Sequence, residues 1–133
     1  MQAGTREILL DNLPGWPDGI SRASDGGFWL ALILPDFPLA RKLLRSPAAL
    51  RWAVARLPPW ALPPLPRWGC VVKLSREGEV QYVLMDPPGP ANRISSVSAA
   101  TEHGGRLFLG NLGGSYVSVV DLAAITVVPG RER

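Results

Sequence analysis

The sequence predicts an all-β fold of short strands with one helical insertion. Three observations carry that prediction. Turn signals recur roughly every eight to twelve residues between runs of alternating apolar residues. Gly and Pro each occur 14 times in 133 residues, too often for a helical bundle but normal for short strands joined by tight turns. Helical spacing of apolar residues is confined to a single stretch, Phe37 to Leu57.

Taken in order, Arg6 to Leu10 reads as a short strand, closed by the turn-rich Asp11-Asn12-Leu13-Pro14-Gly15. Gly19 to Ala23 alternates weakly, Asp25-Gly26-Gly27 marks a turn, and Phe28 to Ile33 is a strand, which together predict a hairpin. Leu39, Leu43, Leu44, Leu50, Ala53, Val54 and Leu57 then predict two short helices, 37–45 and 47–56, separated at Pro47. Ser46-Pro47 suits an N-cap followed by proline at the first helical position. The prolines between 58 and 66 forbid a helix interior or a central strand and predict an extended connector. Period two returns at Cys70–Leu74, with a turn at Ser75-Arg76-Glu77-Gly78 and a strand at Val80–Met85. Further strands are predicted at Ile94–Thr101, Arg106–Gly110, Tyr116–Asp121 and Ile125–Val128.

That pattern suits a sandwich, a barrel or a propeller. A weak internal repeat favours the propeller. DGISRASDGGFWLAL, from residue 18, and ISSVSAATEHGGRLFLG, from residue 94, share a small polar strand, a Gly-rich turn and a strand containing an aromatic. Without the insertion their spacing falls near one propeller blade of roughly 40–50 residues. The whole chain, 1–133, is read as one domain with its helical and Pro-rich insertion at about 36–67.

Charge and cysteine content narrow the classes. The net charge is +3, and six basic residues stand against one acid between Asp36 and Trp68. This is a local basic patch rather than a nucleic-acid-binding domain. The single cysteine, Cys70, excludes an intrachain disulfide and a multi-Cys zinc site; it reads as a small core residue before a reactive thiol. The N-terminus has no signal-peptide pattern and no run of 18 apolar residues exists, so a cytoplasmic location is expected. Phosphate loops, GxSxG elbows and HExxH motifs are absent from the sequence.

LLDNLPGWPDGI followed by GGFWLAL, then GCVVKLSREGEV and EHGGRLFLGNLGGSYVSVVDL, resembles the C-terminal part of the strictosidine synthase-like family, over roughly residues 5–122. The resemblance implies a six-bladed β-propeller with four-stranded blades around a central channel, of which this chain would supply about two blades. It also implies an insertion at the place of the helical segment.

Site residues follow from the same resemblance. Pro17-Asp18-Gly19 resembles the PDG motif of related gluconolactonase and senescence-marker propellers, whose aspartate binds a divalent metal. Asp18 is therefore a candidate ligand for calcium or a similar ion; the plainer reading is a turn after Pro17. Glu102 and His103 are the candidate catalytic residues, against the plainer reading of a polar hairpin turn. The glutamate that performs amine–aldehyde condensation in the plant enzyme falls at Ser98 here, so strictosidine synthesis is not expected. Two function classes stand open: a metal-assisted ester or lactone hydrolase acting on a small molecule, and a non-catalytic blade scaffold or binding module. The insertion, with Arg41, Lys42, Arg45, Arg51 and Arg56, is expected to be a lid or a helix pair packed on the propeller; membrane contact is the less favoured reading. Two blades leave apolar faces open, so a homo-oligomer is expected, with a cyclic trimer ahead of a strand-swapped dimer, unless further blades cover them.

Overall fold

The computed structural model describes residue 4 and residues 7–62, 67–86 and 94–125. β1 (Gly15–Arg22), β2 (Phe28–Pro35), β3 (Cys70–Leu74) and β4 (Val80–Met85) form a four-stranded antiparallel sheet in chain order. β5 (Val97–His103), β6 (Arg106–Asn111) and β7 (Ser118–Asp121) form a second, three-stranded antiparallel meander. Between β2 and β3 lie α1 (Pro38–Leu44) and α2 (Ala48–Ala55), then a 3-10 turn at Pro59–Ala61. A second 3-10 turn, Leu122–Ala124, follows β7 and is capped by the Asp121 carboxylate, which accepts from the Ala123 N–H at 3.0 Å.

The two sheets pack face to face. One core joins Ala23, Trp29, Ala31 and Val71 of the first sheet region to Val97, Ala100, Leu107 and Leu109 of the second. The strands that open each sheet, β1 and β5, run beside one another. Gly19 makes their approach possible, because a Cβ there would lie 2.6 Å from the Ser98 carbonyl oxygen. Towards the outer strands the sheets part, leaving a cavity of about 320 Å³ lined by Leu84 and Met85 of β4 and Val120 of β7. Sheets of sequential antiparallel strands, close at their first strands and apart at their last, are blades; the chain is a partial propeller, and no closed barrel forms among the described residues.

Alternation explains the second core. Trp29 and Ala31 face the β5–β7 sheet, while Leu30 and Leu32 point the other way and join Cys70, Val72 and Leu74. Leu10, Leu13, Phe28 and Trp68 cover that far face.

Several element boundaries depart from the sequence expectations, each for a local reason. Glu7 to Leu10 is not a strand; Arg6 lies outside the described residues. Leu10 and Leu13 both pack on the same apolar face, which a strand, with residues three apart on opposite sides, would not allow. β1 begins four residues earlier than expected, running through Pro17 on a sheet edge where its missing N–H costs no ladder bond. Ser46 does not cap α2. Its hydroxyl donates to the Leu43 carbonyl at 2.6 Å, closing α1, and Pro47 takes the N-cap position of α2. β5 starts at Val97 rather than Ile94, because Ser96 adopts a positive φ of 51° that breaks strand geometry. β7 starts at Ser118, since the Tyr116 carbonyl accepts from Asn111 at 2.7 Å within the preceding turn. The expected extended connector instead makes a 3-10 turn at its start, and its residues 63–66 lie outside the described residues. Of the expected strand Ile125–Val128, Ile125 ends the last 3-10 turn and the rest lies outside the described residues.

Candidate functional site

Two places on the seam between the sheets bring chemistry-bearing residues together. The first is the end where the β1–β2 and β5–β6 turns meet. Glu102, near the end of β5, faces the first sheet. Its carboxylate accepts from the Trp29 indole N–H at 2.7 Å, the Ser24 backbone N–H at 3.2 Å and the Ser24 hydroxyl. Burial pushes the Glu102 carboxyl up, but the hydrogen bonds from Ser24 and Trp29 outweigh it, and its pKa lies below the usual value. Beside it the ammonium of Lys73, only 3% exposed, meets both carboxylate oxygens of Asp25 at 2.7 and 2.8 Å. The hydrogen bond from Lys73, then that from the Gly27 N–H, holds the Asp25 carboxyl below its usual range. Lys73 also stands 5.5 Å from the Trp29 ring centroid, and Tyr82 meets that ring edge-on at 5.9 Å.

This arrangement staples the blades together. Every oxygen of Glu102 already serves Ser24 or Trp29, and a carboxyl held ionised by donors is a poor proton donor at neutral pH. His103 is exposed, and as the next residue along the strand it points to the opposite face of β5. The Glu102–His103 pair expected from the sequence therefore does not converge on one site.

The second place is the β1–β5 seam. Pro17 pairs with Leu32 and Ile20 with Leu30, so Asp18 and Gly19 together oppose only Ala31 and form a bulge. The bulge leaves Asp18 exposed, with no hydrogen bond or ion pair to any described residue. Ser98 lies across the seam, its carbonyl against Gly19. The structure thus brings Asp18 and Ser98 together at this place on the seam, sets Glu102 at the other one, and turns His103 to the far face of β5. Among the described residues no group of three His, Cys, Asp or Glu side chains converges to hold a metal.

Cys70 is buried in β3, and burial pushes its thiol up to about 11, which leaves it protonated and unreactive at neutral pH. Lys73, Asp25, Ser24 and Trp29 were not among the sequence candidates. A lysine inside the apolar strand Cys70-Val71-Val72-Lys73-Leu74 is a signal, because a buried ammonium requires a partner. Its partner lies 48 positions away and carries no mark in the sequence.

The paired blades and their stapled seam define a class: a part of a β-propeller. Comparison with known proteins gives the family. An adipocyte plasma membrane-associated protein of Salmo salar is 31% identical over 130 residues, covering 94% of this chain and 31% of that protein. The Danio rerio protein of the same name is 31% identical over 131 residues. The Arabidopsis thaliana protein strictosidine synthase-like 10 is 36% identical over 126 residues, covering 90% of this chain and 33% of its own length. The chain belongs to the strictosidine synthase-like family and spans about a third of the length of these relatives. No protein-family model and no solved structure matches it.

Proposed function

We propose that the chain supplies two adjacent blades, the C-terminal pair, to a six-bladed strictosidine synthase-like ring, and that it acts as a ring-building module rather than a self-sufficient enzyme. One observation carries this reading: among the described residues, the β5–β7 sheet is packed on one face only. Its outward face presents Phe108 and Val119, which are register partners, to solvent. Thr101 continues the same cross-strand row. A face so built accepts another blade, as the inward face of the same sheet accepts the first one. Three copies related by a threefold rotation would close six blades, with a strand-swapped dimer as the other closed arrangement. Light scattering across a concentration series tests it. A particle of three times the 14.3 kDa chain mass supports the ring, and a folded monomer at micromolar concentration overturns it.

A second reading is favoured by Asp18 alone. An exposed carboxylate with no partner among the described residues, on the bulge of β1, suits a hard cation such as calcium, with the remaining ligands supplied from outside the described residues. Such an ion would polarise the carbonyl of an ester or lactone and acidify a bound water. Hydrolysis of a panel of esters and lactones that chelator abolishes would support this reading; no chelator-sensitive turnover by the assembled ring would remove it.

A further inference from the structure

We propose that the helical insertion is a membrane-interface hairpin that docks on anionic lipid. It rests on features that neither the ring nor the metal reading uses. No residue of α1 or α2 is buried. The two helices contact each other, and only Ala40, Leu43 and Val54 within them are half-buried. Large apolar side chains are left in water: Leu39, Leu44, Leu50 and Trp52 are all more than half exposed, and Trp60 is 86% exposed. The sheets do not need this surface, since both their cores close without it.

The apolar and basic residues of the two helices are sorted by face. At 100° per residue, Leu39, Ala40, Leu43 and Leu44 fall on one side of α1 and Arg41, Lys42 and Arg45 on the other. In α2, Leu50, Ala53, Val54 and Leu57 share a side, while Arg51 and Arg56 flank it. The Arg56 guanidinium stacks 3.3 Å over the Trp52 ring, holding that indole between Arg51 and Arg56 on the side away from the leucines. Leucines on one side of each helix, arginines on the other and exposed tryptophans near the cations is a composition that seats a helix in the headgroup layer.

Charge selects the occupant. From Phe37 to Arg76 the chain contains no Asp or Glu. The acid just before that stretch, Asp36, is paired with Arg41. Lys42, Arg45 and Arg51 are exposed. An apolar protein groove would accept the leucines but has no general reason to match so one-signed a surface. An anionic bilayer matches both, since it takes apolar side chains at the acyl boundary and basic ones at the phosphates.

The test is co-sedimentation of the full chain with vesicles of phosphatidylcholine, and of phosphatidylcholine with about a third phosphatidylserine. Binding is expected only to the anionic vesicles, and weaker at high salt. Reversing Lys42→Glu, Arg45→Glu and Arg51→Glu together should weaken it about a hundredfold. Trp60→Ala should weaken it too while leaving the thermal unfolding of the sheets unchanged. No binding to anionic vesicles, or binding indifferent to the charge reversals, would overturn the proposal. So would Trp60 emission that is already blue-shifted without lipid, because the hairpin would then be covered by protein, as a lid is.

Discussion

At Lys73 an ammonium stands in an apolar strand, and its two substitutions should differ in cost. Asp25→Ala leaves that charge buried without a carboxylate and is expected to destabilise by about 2 kcal/mol, below the figure for a fully buried pair because Asp25 is half exposed. Lys73→Met removes charge and cost together and should stay within about 1 kcal/mol of the starting protein. Urea unfolding of both variants checks the asymmetry. The two seam carboxyls also set an acid limit. Asp25 and Glu102 both have folded pKa values below the ordinary 3.8 and 4.5, so the unfolded chain binds their protons more readily. Their contribution is complete above those ordinary values and is lost as pH falls through the lower folded ones. Stability should therefore drop below about pH 4.5. The drop should be shallower in Glu102→Gln, as denaturant melts at several pH values would show. For Asp18 the expected outcome is weaker calcium binding in Asp18→Asn, because an amide oxygen lacks the carboxylate's charge. Equal calorimetric affinity would take Asp18 out of any metal site. The sequence exposed Asp18 through its flanking Pro17 and Gly19, whereas the role of Glu102 as an acceptor for Trp29 and Ser24 depends on contacts more than 70 positions apart.

The strands differ in how openly their residues declare them. β3 and β4 occupy the spans that alternation and the Ser75–Gly78 turn predict, because apolar patterning and turn chemistry agree there. β1 was half hidden: Pro17 and the Asp18–Gly19 bulge interrupt its alternation, and only pairing with β2 makes it a strand. The N-terminal leucines misled in the opposite sense, since their apolar run serves packing on a sheet face rather than pairing at an edge. Both helices were legible from spacing, but their lack of burial was not, because amphipathic patterning looks the same whether the apolar side meets protein or something else. Gly19→Ala is the element-level prediction. Its methyl would need space now held by the Ser98 carbonyl, so β1 and β5 must separate, at a cost of about 1–3 kcal/mol. Amide exchange should then rise along both strands while β3 and β4 stay protected.

For the molecule as a whole, a repeat of small polar strand, Gly-rich turn and aromatic strand was enough to favour blades over a sandwich or a barrel. The repeat maps onto β1–β2 and β5–β6, whose turns carry positive-φ glycines at Gly26, Gly104 and Gly105. How the blades face one another was not legible, because the joining contacts are long-range: Ser21 to Ala100, Trp68 to Ser96 and Glu102 to Trp29. Covering about 500 Å² of an outward sheet face is worth on the order of 10 kcal/mol before association costs, which is why an exposed blade face calls for a neighbour.

The insertion also has an entropic consequence for folding. β2 and β3 are the central, directly paired strands of their sheet, yet residues 36–69 separate them. Chain closure over such a stretch is harder than over a tight hairpin by about 0.6 kcal/mol for each doubling of loop length. Replacing residues 37–66 with a four-residue turn keeps Trp68 on the sheet and its carbonyl bonded to Ser96, and shortens the connection by about two doublings, so the trimmed protein should be more stable by about 1 kcal/mol. It should also refold faster in stopped-flow measurements, because β2 would find β3 as a local partner. The central hairpin thus folds in spite of the segment it carries, and a trimmed chain that lost stability would show that the helices support the sheet after all.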